Sequence, residues 1–255
     1  AFAATVNLST LDGTNGFRLD GELYHDYSGY AVSSAGDING DGYDDLIIGA
    51  KGTDINYDHS GSSYGVFGTC SGFGHTVESE DLDGTSGFRL DGDDEDDYSG
   101  YSVSSAGDVN GDGYDDLIIG AYSSSINEDY SGSSYVVFGT GSAFAPTVEL
   151  DDLDGTNGFR LNGVDEEDYS ESVSSAGDIN GDGYDDLIIG ARYADNYGDK
   201  SGSSYVVFGT GDPFVSTIDL SNLLGTNGFR LDGELGGDKS GWSVSSAGDV
   251  NGDGY

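Results

Sequence analysis

The chain has no methionine, two prolines, one tryptophan and one cysteine among 255 residues. A single cysteine, Cys70, excludes any disulfide within the chain, and its Gly-rich surroundings mark the thiol as incidental. Lysine and arginine together number 8 against 48 acidic residues, a formal charge of −40. So few cations cannot neutralise phosphates, which argues against nucleic acid and against docking on an anionic membrane face. No apolar run is long enough to cross a bilayer, and no signal peptide or tag is legible. Helical periodicity is missing from every window. The three histidines, His25, His59 and His75, do not recur in any pattern and have no fixed acid or nucleophile partner. They read as surface loop residues. Carboxylates abound, but abundance does not define a catalytic pair at a set separation. The chain is therefore read as non-enzymatic.

What is present is glycine, 45 of it, with 18 Tyr and 11 Phe. Glycine suits many tight turns, and the aromatics favour strands. Charge this dense opposes compaction. Either cations neutralise part of it or the surroundings are salty, as for a halophile's acidic surface. Much of the acid sits at fixed loop positions, which a general surface bias does not require.

Those positions belong to a repeat. Residues 102–121 read Ser-Val-Ser-Ser-Ala-Gly-Asp-Val-Asn-Gly-Asp-Gly-Tyr-Asp-Asp-Leu-Ile-Ile-Gly-Ala, with near-copies at 31–50 and 172–191 and a truncated copy at 243–255. The first Asp of the loop falls at 37, 108, 178 and 249, spacings of 71, 70 and 71. The units are 1–71, 72–142, 143–212 and a truncated 213–255, read as one repeat-built domain. The chain starts with Ala and ends inside a repeat, so it is expected to be a processed or excised piece of a longer array.

Each loop offers oxygen at alternate positions. The candidate ligands are Asp37, Asn39, Asp41, Tyr43 and Asp45; Asp108, Asn110, Asp112, Tyr114 and Asp116; Asp178, Asn180, Asp182, Tyr184 and Asp186; then Asp249, Asn251 and Asp253. Each tyrosine would contribute its carbonyl. Calcium takes six to eight oxygens of these kinds, so one Ca²⁺ per repeat is expected, with the fourth site incomplete. No Cys or His lies in the loop, which argues against zinc; magnesium is the nearest rival. An EF-hand needs Glu at position 12, where this chain has Ile48, Ile119 and Ile189. The nine-residue calcium roll repeats far more closely than every 70 or 71 residues. For a single copy, a plain hairpin with Asn-Gly and Asp-Gly turns is the competing reading. Asp44, Asp115 and Asp185 are set aside because alternation points them outward.

Four short strands per repeat, joined by turn-rich loops, predict an all-β fold: a β-propeller of four-stranded antiparallel blades. The small-residue strand Ser-Val-Ser-Ser-Ala-Gly fits the crowded axis, and Phe-Arg-Leu the outer edge. Three full blades are expected, from 28 to 90, 99 to 161 and 170 to 231, plus orphan strands at 17–19 and 242–248. In such a blade the acidic loop and the third-to-fourth connection leave from one rim. The opposite rim carries Asp-x-Ser-Gly at 26–29, 58–61, 97–100, 129–132, 199–202 and 238–241, with an incomplete Asp168-Tyr169-Ser170. These read as turn chemistry or, alternatively, as a second cation site or partner surface.

The Asp-x-Asn-x-Asp-Gly-x-x-Asp loop followed by Leu-Ile-Ile-Gly-Ala resembles the FG-GAP repeat, the blade of the integrin α-subunit propeller and of many bacterial surface proteins. The resemblance covers nearly the whole chain and implies calcium between the first and second strands of each blade. Ser28-Gly29, Ser99-Gly100 and Ser240-Gly241 replace that family's Phe-Gly, and Lys51, Tyr122 and Arg192 replace its Pro after Gly-Ala. The near-identity of the units is more like a bacterial repeat array than a receptor.

The expected role is a non-enzymatic, calcium-binding, extracellular module of an adhesin or surface filament. Its expected partners are itself or neighbouring repeats. The alternative is a carbohydrate- or protein-binding propeller that uses the acidic rim and Tyr27, Tyr98 and Tyr169, with a cell-surface protein or glycan as partner. Neither reading involves membrane insertion.

Overall fold

The computed structural model describes residues 7–92, 94–125, 130–252 and 254. The strands before and in the first blade are β1 (Arg18–Asp20), β2 (Ala31–Gly36), β3 (Asp45–Ala50), β4 (Ser62–Val66), β5 (Thr76–Glu78) and β6 (Gly87–Asp91). The second blade adds β7 (Ser99–Gly107), β8 (Asp116–Ala121), β9 (Ser133–Val137), β10 (Thr147–Glu149) and β11 (Gly158–Asn162). The third adds β12 (Ser170–Gly177), β13 (Asp186–Ala191), β14 (Ser203–Val207), β15 (Thr217–Asp219) and β16 (Gly228–Asp232). Among the described residues helix is limited to three-residue 3₁₀ turns such as Leu150–Asp152.

Each blade has the four antiparallel strands that the repeat predicts, in spatial order β2-β3-β4-β6, β7-β8-β9-β11 and β12-β13-β14-β16. The sheets form propeller blades and do not close into a ring among the described residues. The small-residue strands β2, β7 and β12 lie side by side, as crowding at an axis requires.

The outer edge differs from the sequence expectation. β10 pairs parallel with β6 of the preceding blade, Thr147 opposite Arg89 and Glu149 opposite Asp91. β15 does the same to β11, and β5 to β1. The second and third blades thus reach back and add a fifth strand to their predecessors, while β5 and β1 form a two-stranded sheet. The Phe-Arg-Leu strand is therefore covered in the first two blades, and Leu90 and Leu161 are fully buried.

The core lies between blades. Ile38, Ile47, Phe88 and Leu90 of the first pack against Val103, Leu117 and Ile119 of the second. Val109, Ile118, Phe159 and Leu161 pack against Val173, Leu187 and Ile189 of the third. Successive side chains of a strand face opposite ways, so Ile118 and Ile119 serve different junctions. That explains the continuous apolar run. The segment before each fifth strand also sends back a ring: Phe144 stacks on Phe88 at 4.2 Å, and Phe214 on Phe159 at 4.4 Å.

The 70-residue spacing has a local cause. Entering β7, two extra residues lie between the Ser99 and Ser102 pairings. Entering β12, one lies between Ser170 and Ser172. That one is Glu171, buried and ion-paired with Arg192.

Candidate metal centres and the opposite rim

The acidic loop folds around its own side chains. Asp108 accepts hydrogen bonds from the backbone N–H groups of Gly111, Asp112 and Gly113 at 2.8–3.0 Å. Asn110 Oδ1 accepts from Asp112 N–H at 2.8 Å, and Asp112 Oδ1 from Tyr114 N–H at 3.0 Å. Asx turns of this kind let Asp and Asn fold the chain back on itself. The same bonds recur at Asp178, Asn180 and Asp182, and at Asp37, Asn39 and Asp41 except for the one from the first glycine. In the first two loops Ile38 and Val109 are fully buried, while Asp41 and Asp112 are exposed. Asp249 opens the fourth loop in the same way, accepting from Gly252 and Gly254. Asn251 follows it, and Asp253 lies outside the described residues.

The ninth residue is different. Asp116 is fully buried and accepts from Val109 N–H at 3.0 Å and Gly139 N–H at 2.9 Å. Asp45 does the same with Ile38 and Gly68, and Asp186 with Ile179 and Gly209. Burial pushes the Asp116 carboxyl up to about 8, against those two backbone bonds, with Asp112 and Asp108 pushing the same way. Asp45 and Asp186 are pushed up to about 6 by the same causes. The ninth carboxyl of each loop is thus held in a largely dry place.

Among the described residues no three Asp, Glu, His or Cys side chains stand together as a metal-holding cluster. The loop's donors are mixed: carboxylate, amide and backbone carbonyl. That mixture fits a hard cation, which accepts carbonyl and amide oxygens beside carboxylates. A divalent ion would favour the charged form of Asp116 against the burial that raises it.

Asp115 and Asp185, which alternation set aside, face the preceding blade. Asp115 Oδ2 accepts from Asp37 N–H at 2.8 Å, and Asp185 Oδ2 from Asp108 N–H at 2.9 Å. The Tyr114 and Tyr184 rings lie over Gly40 and Gly111, where a Cβ would collide with them. Thr140 N–H and Thr210 N–H donate to the Ile38 and Val109 carbonyls. The loops therefore join consecutive blades at this rim. No local pattern signals it, because the partners are 77 and 78 residues apart.

At the opposite rim the Asp-x-Ser-Gly turns pair with one another. Tyr98 and Ser99 donate to His59 and Ser60; Tyr169 and Ser170 to Tyr130 and Ser131; Lys239 and Ser240 to Lys200 and Ser201. In every copy the second residue has positive φ: Tyr27, His59, Tyr98, Tyr130, Tyr169, Lys200 and Lys239 lie between 50° and 56°. Side-chain-bearing residues rarely adopt that region. Here the paired backbones hold them in it.

The first Asp of these turns is buried at Asp26, Asp97 and Asp168. The Asp168 carboxyl is pushed up to about 7 by burial and then by Asp165, offset by a backbone bond from Asp165; Asp195 adds to the rise and Arg230 opposes it. An unfolded Asp titrates near about 3.9, so the folded chain holds this proton more tightly. Stability linked to Asp168 is full below about pH 4 and is lost as pH rises through the folded value. Thermal midpoints measured across that window are expected to fall with rising pH, and Asp168→Asn to flatten the fall. An unchanged slope in the variant would remove Asp168 as a cause.

The same rim carries an aromatic row. Tyr98, Tyr122, Tyr169 and Tyr193 follow one another at 5.4–5.6 Å, and Tyr30 and Tyr101 join it at 4.6–5.1 Å. Four of the eight cations lie on these rings or on Trp242: Lys51, Arg192, Lys200 and Lys239. Tyr122, Glu167, Tyr169, Arg192, Tyr193 and Lys200 line a cavity of about 370 Å³.

Comparison with known proteins matches the FG-GAP repeat at residues 28–66, 99–137 and 171–207. The chain is 29% identical over 244 residues to a phosphatidylinositol-glycan-specific phospholipase D of Dictyostelium discoideum, covering 92% of this chain and 25% of that protein. It is 31% identical to integrin alpha pat-2 of Caenorhabditis elegans over 81% of this chain and 16% of that protein. It is 31% identical to integrin alpha-4 of Xenopus laevis over 71% of this chain and 16% of that protein. The chain thus spans a quarter or less of these relatives' lengths. Among the described residues no helix is long and apolar enough to cross a membrane.

Proposed function

We infer that this chain, an integrin-like module that carries FG-GAP repeats, is a calcium-stabilised, non-enzymatic structural and adhesion module that works outside the cell. The observation that carries this reading is the acidic loop, folded alike three times on one rim, each closed by a buried carboxyl that accepts two backbone N–H bonds. In each loop the residues that would hold Ca²⁺ are positions one, three, five, seven and nine: Asp108, Asn110, Asp112, the Tyr114 carbonyl and Asp116 in the second copy. The ion would supply positive charge and tie down the turn. Extracellular modules commonly bind calcium at about 10⁻⁴–10⁻³ M, which suits loops whose donors are half exposed. Beads coated with the protein are expected to cluster, or to bind cells, in millimolar calcium and to disperse in chelator. Beads that stay dispersed in both would count against adhesion.

A second reading is favoured by the aromatic row with its cations. Rings and charged groups in a shallow cavity suit a saccharide or a protein loop. On this reading the chain is a carbohydrate- or protein-binding propeller, and a glycan array without hits argues against the sugar. One relative is named as a phospholipase D; that activity belongs to that protein.

A further inference from the structure

We propose that the cavity where Tyr122 of the second blade meets the loops of the third binds an acidic sugar, a uronic acid, by its carboxylate, its hydroxyls and one ring face. The proposal rests on the second reading above, the saccharide-binding propeller, and names the class of sugar.

The first observation is where the repeat breaks its own rule. The three units agree residue for residue over Asn-Gly-Asp-Gly-Tyr-Asp-Asp-Leu-Ile-Ile-Gly-Ala, at 39–50, 110–121 and 180–191. On the opposite rim the third unit departs. Glu171 stands alone where the others have Gly29-Tyr30, Gly100-Tyr101 and Gly241-Trp242. Arg192-Tyr193 replaces Lys51-Gly52 and Tyr122-Ser123, and Lys200 replaces His59 and Tyr130. These departures meet in space. Arg192 is ion-paired with Glu171, its guanidinium lies 4.9 Å from the centre of the Tyr193 ring, and Lys200 Nζ lies 5.2 Å from the same ring. Arg192, Tyr193 and Lys200 then line the cavity of about 370 Å³ together with Tyr122, Tyr169 and Glu167. Drift of surface residues scatters; here the changes collect on one concavity.

The second observation is charge. Lys239 Nζ also lies 5.1 Å from the Tyr193 ring. Three of the chain's eight cations thus gather about one tyrosine, against 48 acidic residues elsewhere and nearby. Among the described residues Lys200 and Lys239 form no ion pair. Arg192 has Glu171 on one nitrogen, but its Nε is buried without a hydrogen-bond partner among the described residues. A buried donor without an acceptor is costly. A guanidinium and an ammonium on one cavity wall suit a carboxylate.

The rest of the wall decides what carries that carboxylate. Glu167 disfavours a compact multivalent anion such as phosphate and accepts hydroxyl groups instead. Tyr122, Tyr169 and Tyr193 follow one another at 5.6 Å. Their rings offer apolar faces to the C–H side of a sugar, and their phenol oxygens pair with its hydroxyls. The volume lies within the range of small-molecule sites, about 300–1,000 Å³.

The test is ligand-observed NMR titration of the full chain in calcium with glucuronate, glucose and inorganic phosphate, with circular dichroism to establish that the protein is folded. Glucuronate is expected to bind saturably, and glucose and phosphate about tenfold more weakly or worse. Lys200→Tyr and Tyr193→Ser install the residues of the second unit, Tyr130 and Ser123; Tyr130 already holds φ 56°, as Lys200 does. Both variants are expected to keep the wild-type spectrum and to bind glucuronate about tenfold more weakly. Glucuronate that fails to bind the folded chain, glucose or phosphate that binds as tightly, or affinity that neither variant lowers would each overturn the proposal. Tight binding of glucose would overturn it while upholding the broader saccharide reading; a glycan array blank for neutral and acidic sugars alike would remove both.

Discussion

Stripping divalent cations from the folded protein is expected to lower its thermal midpoint by about 12 °C. A ligand present at about ten times its Kd stabilises the state that binds it by about 1.4 kcal/mol per site. Three complete loops then supply about 4 kcal/mol, and a chain of this size shifts by about 3 °C per kcal/mol. The effect is expected to reach beyond the loops. Asp115 and Asp185 hold the first residue of the preceding loop, so a loosened loop also loosens a junction between blades. Differential scanning calorimetry in calcium, in magnesium and in chelator measures it. Magnesium is expected to restore little, because it keeps its own waters and strict octahedral geometry. Equal midpoints in all three buffers would separate the loops from any metal.

Replacing Asp116 by alanine is expected to cost about 3–5 kcal/mol, with or without calcium. The carboxylate receives the Val109 and Gly139 N–H groups inside the protein. Each buried donor left without a partner costs about 1–3 kcal/mol, and the lost side chain leaves a gap between loop and strand. Asp112→Ala provides the contrast. Asp112 is exposed and its carboxylate serves only the loop. Its loss is expected to abolish the calcium-dependent share contributed by that loop and to leave calcium-free stability within about 0.5 kcal/mol. Denaturant titration of both variants, in calcium and in chelator, separates the two roles. If Asp116→Ala unfolds no more easily than wild type in chelator, the ninth residue is not the anchor described above.

Much of the scaffold is legible in the residues. Leu-Ile-Ile-Gly-Ala is too short and too continuously apolar for anything but a central strand, and its recurrence every 70 or 71 residues fixes the blade. Ser-Val-Ser-Ser-Ala-Gly has side chains small enough for the axis. The division of loops between two rims follows from strand count alone. Other features leave no local trace. Thr147–Glu149 forms a fifth strand only because the preceding blade offers an open edge, and three residues carry no period. Asp115 lies beside a candidate ligand, and alternation turns it away from the loop; only the arrangement of blades shows what it turns towards. The left-handed residues of the Asp-x-Ser-Gly turns are Tyr, His and Lys, which give no warning of positive φ. Of the candidate ligands, Asp37, Asn39 and Asp41 and their counterparts in the second and third loops accept backbone N–H groups of their own loop. The burial of Asp45, Asp116 and Asp186 under two backbone bonds is a tertiary effect.

Calorimetric titration of calcium into chelator-stripped protein tests the centre of the account most directly. Saturable binding is predicted at one ion per complete loop, three per chain, with Kd of about 10⁻⁴–10⁻³ M and with Asp112→Ala removing one of the three. A flat titration on protein that is folded and shows the β-rich spectrum of the blades would contradict it.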